Sequence, residues 1–448
     1  MSSIKRIANL STRFHLLLAL LCSILPLPAA GAPRDTVQQV ATLIENNYFD
    51  ATKAQEIARD LRESAQAGRF DTLRDPRDLA TALTGRLQPL DHHFRVTWSA
   101  PESPSSAAPN PPGGDPVMSL ETLERRNAYG FRRVDMLPGA IGYLDLRLFA
   151  DFSFDKPDEP ARKAADAALA LVSTADAVII DLRNNAGGSS LMVGYLVSAF
   201  TAPGADIYNV FRSRDGTSSE RPKESYSRPR LAVPLYVLIS GRTASAAEST
   251  AYTLQAAKRA VVVGEVSGGA ANPGGEFPAA DGFSIFISTS TTVNAVTGTN
   301  WEGVGVKPDV AVNPEHALER AQILALESVL RNNPTGTEAV ETRWVLEALR
   351  AEASPAVGPP ITDYVGAYAG AEISAENGHL ALRRDRRPAW ALTRVRGDVF
   401  CVTDEPFRRV LFERNTAHGV TRFQLTRAGG PSTWFPKASG HQSPVGVH

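Results

Sequence analysis

Ser245 lies in Arg242-Thr-Ala-Ser-Ala-Ala-Glu-Ser249, a set of small residues directly after the apolar run Leu235–Ser240. That run reads as a buried strand, Gly241 and Arg242 as its exit turn, and Ala246–Lys258, which lacks Pro and Gly, as a helix. A serine where a strand hands over to a helix stands beside free backbone N–H groups and the positive end of the helix dipole. Such a place could stabilise an oxyanion, and the small neighbours leave the hydroxyl within reach of a substrate. The same position equally suits an N-cap serine.

Three further places carry candidate chemistry. Asp181-Leu-Arg-Asn-Asn-Ala-Gly-Gly188 ends an apolar run in a polar, glycine-bearing turn before a helix, which suits either a structural turn or an anion site. It has neither the phosphate-loop nor the dinucleotide-binding glycine spacing. Of the eight histidines, only His92 and His93 sit in a short turn between a predicted helix and a predicted strand, preceded by Asp91. Either could act as a general base, or both could be exposed turn residues. Asn300-Trp-Glu-Gly-Val-Gly-Val-Lys-Pro-Asp309 places Glu302 among glycines beside Trp301, at a predicted strand edge. There it could orient a base or remain a turn acid. No His, Cys or Asp cluster has metal-ligand spacing, so neither a metal nor another cofactor is expected. The Gly-x-Ser-x-Gly elbow is also missing.

These residues need a scaffold, and the chain has the length for two or three domains. It has 448 residues, 43% of them hydrophobic, and a formal net charge of −1. That balance gives no reason to expect nucleic acid or an anionic membrane as partner. Lys5, Arg6 and Arg13 precede the apolar stretch Leu16–Leu25, followed by Pro26, Pro28 and small residues. This is the order of a secretory signal peptide over residues 1–32, cleaved near Ala30–Ala32, and it limits membrane contact to export. After cleavage Cys401 is the one remaining cysteine, so no internal disulfide or thiolate metal site can form. The expected location is the periplasm or exterior of a bacterium.

Residues 33–98 show helical spacing over Val37–Asn47, Thr52–Ala67 and Pro76–Leu87, followed by a strand to Trp98. Residues 99–118 form a Pro/Ser/Gly-rich linker. Strands and helices then alternate over 119–332: strands at Ile141–Leu146, Ala177–Leu182, Leu235–Ser240, Ala260–Gly264 and Phe283–Ile287, and helices at Glu159–Val172, near Ser190, and after Ser245. Ser213–Arg230 reads as a charged loop. This is an α/β core. A helical linker (333–357) and a small, mostly β unit (358–448) complete the chain.

Thr243-Ala-Ser-Ala-Ala-Glu248, Asp181–Gly188, Gly264-Glu-Val-Ser-Gly-Gly269 and Gly303-Val-Gly-Val-Lys-Pro-Asp309 together resemble the motifs of the C-terminal processing (tail-specific) serine peptidases, in that family's order. The likeness is to the branch of the interphotoreceptor retinoid-binding protein repeats and the tricorn core protease. It implies a crotonase-like (ClpP-like) core and a peptidase acting on polypeptide. Ser245 would be the nucleophile, with Ala246 and Gly187 or Gly188 as oxyanion donors. The lysine base of the main branch would stand near Ala270, but Ser267–Pro273 contains no lysine, and Lys258 and Lys307 are poor substitutes. The tricorn-like arrangement instead implies His93 as base and Glu302 as its orienter, with His92 where that type carries a serine. No PDZ domain is evident. The competing expectation on the same fold is a non-catalytic binding protein for an apolar ligand. The sequence leaves the oligomeric state open.

Overall fold

The computed structural model describes residues 33–100, 118–156, 158–354, 356–376 and 378–438. The expected signal peptide and nearly all of the expected linker lie outside them.

Helices α1 (Pro33–Asn47), α2 (Ala51–Gln66) and α3 (Pro76–Leu87) open the described chain. Asp50 and Asp75 cap the second and third, and Pro76 occupies the first turn of α3, where its missing N–H costs nothing. Helix α1 buries Val37, Val40, Ala41 and Ile44, and α2 buries Ala54, Ile57, Ala58 and Leu61, the i, i+3, i+4, i+7 stripe of a one-faced helix. Strand β1 (Arg95–Trp98) follows, then α4 (Leu120–Arg126), β2 (Phe131–Leu137), β3 (Ile141–Leu146), α5 (Pro160–Leu171), β4 (Ala177–Asp181), α6 (Ser190–Ser198), β5 (Asn209–Ser213) and β6 (Thr217–Ser219). Next come β7 (Leu235–Ile239), α7 (Ala246–Ala256), β8 (Val261–Gly264), β9 (Gly274–Pro278), β10 (Phe283–Ser288), β11 (Ser290–Asn294) and β12 (Val310–Ala311).

The central six-stranded sheet has the order β12-β8-β7-β4-β3-β2, parallel except for the edge strand β2. A parallel sheet needs both faces covered, and the strand residues divide accordingly. Val178, Ile180, Val237 and Ile239 join the core shared with α5, α6 and α7. Their neighbours Ala177, Ile179, Tyr236 and Leu238 face the opposite core, built with α8 (Ala317–Asn332) and α9 (Thr337–Ala353). At transfer energies of about 25 cal/mol per Å² of apolar area, this two-faced burial is the main source of the sheet's stability.

Two smaller sheets flank it. In β1-β10-β9, Val96, Phe283, Ile285 and Ile287 close the core under α1–α3. In β11-β5-β6, a polar hairpin is held by β11.

Beyond α9, eight strands form an antiparallel meander: β13 (Gly366–Tyr368), β14 (Ala371–Glu376), β15 (His379–Arg384), β16 (Trp390–Arg396), β17 (Val399–Val402), β18 (Glu405–Arg414), β19 (Val420–Arg427) and β20 (Ser432–Pro436). A bridge from Tyr368 to Lys437 brings its two ends together into a nearly closed barrel around Phe400, Phe412 and Phe423. Arg409, 2% exposed, donates to the Trp344 carbonyl and so ties the barrel to α9. Cys401 is buried in the barrel as a free thiol. Among the described residues no helix is long and apolar enough to cross a membrane.

Candidate active site

The parallel neighbours β4, β7 and β8 finish side by side, and the turns leaving their carboxyl ends meet. This is where open α/β sheets place ligands. The turn after β7 is shaped by Thr243, whose hydroxyl donates to the Leu182 carbonyl and accepts the Ser240 N–H. It delivers Ser245 to the start of α7 at φ 52°, ψ −122°. A positive φ on a residue with a side chain costs on the order of 1–3 kcal/mol and is sustained by its surroundings.

Those surroundings centre on Glu248, which is fully buried. Its carboxyl group accepts from the Ser245 N–H at 2.8 Å, the Ser267 hydroxyl at 2.5 Å, the Gly269 N–H at 2.6 Å and the Ala270 N–H at 2.8 Å. Ser245 and Glu248 form a capping box at the start of α7, in which the glutamate accepts the serine's backbone N–H.

The turn after β4 is pinned in the same manner. Asp181 is buried against Arg183, at 2.9 and 2.6 Å, and the Tyr143 hydroxyl at 2.6 Å. Burial alone would raise the Asp181 carboxyl, but the hydrogen bonds from Arg183 and Tyr143 hold it below the ordinary range. Asn185, fully buried, donates to the Leu146 carbonyl and accepts the Gly187 N–H at 2.8 Å, while its own carbonyl receives the Ala244 N–H. Gly187 packs so closely that a Cβ there would stand 2.7 Å from that of Ser245.

Of the two glycines expected as oxyanion donors, Gly187 already donates its N–H to Asn185 Oδ1. Gly188 bridges Phe149 through bonds that run from the Phe149 N–H to the Gly187 carbonyl and from the Ser189 N–H to the Phe149 carbonyl. Its own N–H takes no part in that bridge. Ala246, first residue of α7, carries an N–H that has no partner within the helix.

His93 comes from the turn between α3 and β1. Its Nδ1 lies 3.2 Å from Asp91 Oδ1 and 3.2 Å from Glu302 Oε1, and its ring stacks on Phe286 of β10. Burial works against a charged imidazole, but hydrogen bonds and charge from Asp91 and Glu302 outweigh it and raise His93 to about 9. Burial likewise pushes Asp91 up, and the His93 side-chain and backbone hydrogen bonds bring its carboxyl below the usual range. The neighbouring His92 is exposed and lies against Gly303.

Glu302 sits in a turn rather than at a strand edge, and its Oε2 accepts the N–H groups of Ala271 and Asn272 at 2.8 and 2.9 Å. The loop after β8, residues 267–273, thus holds both assemblies. Gly269 and Ala270 bind Glu248 beneath Ser245, and Ala271 and Asn272 bind Glu302 beside His93.

The fold also corrects the absence of a ligand cluster. Asp91, His93 and Glu302 each bring an oxygen or nitrogen within 4.8 Å of the others, a set that could hold a cation. Sequence spacing hid this because His93 and Glu302 lie in separate units. Among the described residues no lysine lines the cavity beside Ser245. Ala270 occupies the turn as read from the sequence, Lys258 follows α7, and the Lys307 carbonyl accepts from Gln255 in its last turn. That end of α7 is about 15 Å from Ser245 at 1.5 Å per residue.

Beside Ser245 opens a cavity of about 260 Å³, with Phe211, Trp301, Ser249 and Glu220 in its wall. Asp91, Asn185, Glu248 and Glu220 were not singled out as site residues from sequence. Glu248 carried one signal, the Ser-x-x-Glu spacing of a capping box.

The profile of peptidase family S41 matches residues 140–312, and that of the N-terminal domain of this family in eukaryotic IRBP matches residues 24–130. The chain is similar to the chloroplastic carboxyl-terminal-processing peptidase 1 of Arabidopsis thaliana, 27% identical over 201 residues, covering 43% of this chain and 39% of that one. It is also similar to the carboxyl-terminal-processing protease of Synechocystis sp., 32% identical over 161 residues, covering 35% and 34%. The matched region thus spans well under half the length of either relative. The photosystem II D1 C-terminal processing protease superposes with a TM-score of 0.39 at 18% identity, over 63% of this chain and 94% of that chain.

Proposed function

The chain belongs to peptidase family S41, a family of serine hydrolases, and from that membership we propose that it is itself a working peptidase with a Ser245–His93–Glu302 site. One observation carries the reading. The loop 267–273 suspends the serine's support, Glu248, and the histidine's support, Glu302, from consecutive backbone N–H groups, so the nucleophile and its base are positioned by one rigid segment.

In this reading His93 faces the carboxylates through Nδ1 and presents Nε2 to the serine. As Ser245 Oγ bonds to the scissile carbonyl carbon, its proton passes to Nε2, and Glu302 and Asp91 stabilise the imidazolium that forms. The carbonyl oxygen becomes an oxyanion held by the N–H groups of Gly188 and Ala246, and each such donor is worth about two to three powers of ten in rate. Collapse breaks the C–N bond, and the leaving amine takes the proton from His93. Water then attacks the ester, with His93 again accepting a proton, and Ser245 is released with the acid product. His93 replaces the lysine of a Ser–Lys dyad, in keeping with Ala270 in the turn and with Lys258 beyond the opposite end of α7.

The substrate in this proposal is polypeptide, and the protein meets it after export, as the charged, apolar, small-residue order of the N-terminus supports. The central unit is assigned a crotonase-like architecture, in keeping with its two-faced parallel sheet. The polar groups in the cavity wall, Glu220, Ser249 and Thr292, favour a peptide over an apolar ligand. Incubation with a denatured polypeptide tests this. New amino termini should accumulate with wild type and not with Ser245→Ala, and equal cleavage by both proteins would remove Ser245 from the reaction.

A further inference from the structure

The cavity beside Ser245 has a buried acid in its wall with no cation among the described residues to match it. Glu220 follows β6 and is 4% exposed. Its carboxyl oxygens accept from the Ser249 hydroxyl at 2.7 and 2.6 Å and from Asn209 Nδ2 at 2.8 Å. Asn209 is itself held by Asn294, whose Nδ2 donates to Asn209 Oδ1 at 2.8 Å, and both asparagines are fully buried. The acid is therefore set rigidly by neutral donors from β5 and α7, with Asn294 of β11 holding Asn209 in place. Arg221, the adjacent residue, turns away to Asp206. With no cation beside it, burial raises the Glu220 carboxyl to about 7 against the opposing hydrogen bonds of Ser249 and Asn209.

A carboxylate offers about four acceptor sites, so these partners leave capacity for an incoming donor. Ser249 stands one helical turn after Ser245 on the same face of α7, and it is Ser249 that fixes Glu220 within the wall. The rest of the wall sets the rings of Phe211 and Trp301 and the apolar face of Pro273 among the hydroxyls of Ser190, Ser218, Ser290 and Thr292. An aliphatic stem lined by rings and ending on a buried acid describes the side chain of lysine or arginine.

We propose that Glu220 is a specificity residue. It receives the cationic side chain of a lysine or arginine that supplies the scissile carbonyl, so the enzyme cleaves polypeptides after basic residues. The inference rests on the reading of Ser245 as nucleophile, because it is the position of the cavity beside that serine that assigns it to the acyl-side residue. It adds a substrate class that neither the family profiles nor the relatives specify.

The test uses the full chain and two peptides that differ only in lysine against norleucine on the acyl side of the cleaved bond. Wild type should show a kcat/KM ratio of at least about tenfold in favour of lysine, since a site built around a buried polar group rejects the analogue that cannot pair with it. Glu220→Gln should bring that ratio close to one. A ratio near one in wild type overturns the proposal without any variant, as does a ratio that Glu220→Gln leaves unchanged. A second arm needs no turnover: calorimetric binding of both peptides to Ser245→Ala and to the Ser245→Ala, Glu220→Gln pair. Tighter binding of the lysine peptide that is lost in the double variant supports the assignment even if no hydrolysis occurs, in which case the nucleophile reading fails alone. Equal binding of the two peptides to Ser245→Ala overturns it.

Discussion

The Nδ1 atom of His93 lies 3.2 Å from Oε1 of Glu302 and 3.2 Å from Oδ1 of Asp91, so one nitrogen of the imidazole faces two carboxylates. The arrangement has a cost as well as a use. It favours the imidazolium that a base becomes, and it also keeps His93 charged until the pH approaches about 9. A charged imidazole cannot accept the serine's proton.

The rate of Ser245 modification is therefore expected to rise with pH through a midpoint near 9 in the free protein. Glu302→Gln removes one of the two carboxylates and should move that midpoint downward. Linkage has the matching sign. The pair contributes its full stability below the unfolded value of about 6.5, and the contribution fades as pH rises through about 9. Labelling rates measured from pH 6 to 10 in both proteins check the first statement, and urea unfolding of wild type and His93→Ala at the two extremes checks the second.

Glu248 supports Ser245 from below. A buried donor left without a partner costs about 1–3 kcal/mol, and Glu248→Ala strands the N–H groups of Ser245, Gly269 and Ala270 together with the Ser267 hydroxyl. The expected loss of stability is about 3 kcal/mol or more, read by denaturant unfolding, with Ser245 labelling slowed in whatever fraction remains folded. Full stability in this variant would mean that the four bonds do not hold the turn.

Gly188 has φ +135°, and a Cβ on it would stand 2.1 Å from the Phe149 carbonyl oxygen. Gly188→Ala must displace either that bridge or the N–H proposed for the oxyanion. Turnover is expected to fall by about 10²–10³, the range for a lost oxyanion donor, with KM much less affected. Steady-state kinetics separate the two quantities.

How far the chain could be read in advance follows from where the information lies. Strand β7 is apolar throughout and β4 is apolar up to Asp181, and α1 and α2 keep a clean one-faced stripe, so these elements are legible from periodicity. Ser245, His93 and Glu302 were legible as candidates from motif order. Strands β5 and β6 were not, because Arg212, Ser213 and Thr217–Ser219 are polar and largely exposed, and only pairing with β11 makes a sheet of them. Glu220 was lost in the same stretch, read as part of a charged loop although the fold buries it. Asn185 acts through the Leu146 carbonyl and the Gly187 N–H, which spacing does not reveal, whereas Asp91 stands two residues before His93 and reads in sequence only as the residue preceding the histidine pair.

The cluster of Asp91, His93 and Glu302 has the composition of a cation site, but His93 is already paired with both carboxylates. Dialysis against a chelator is expected to leave both Ser245 labelling and the thermal midpoint unchanged. Labelling lost on dialysis and restored by zinc would instead make these residues ligands.

The roles of Ser245 and His93 are read together in the rate at which a fluorophosphonate probe labels four proteins at one pH: wild type, Ser245→Ala, His93→Ala and His92→Ala. Wild type and His92→Ala are expected to be labelled, and Ser245→Ala and His93→Ala are not. Wild type labelled no faster than Ser245→Ala would contradict the nucleophile, and labelling lost in His92→Ala but kept in His93→Ala would contradict the base.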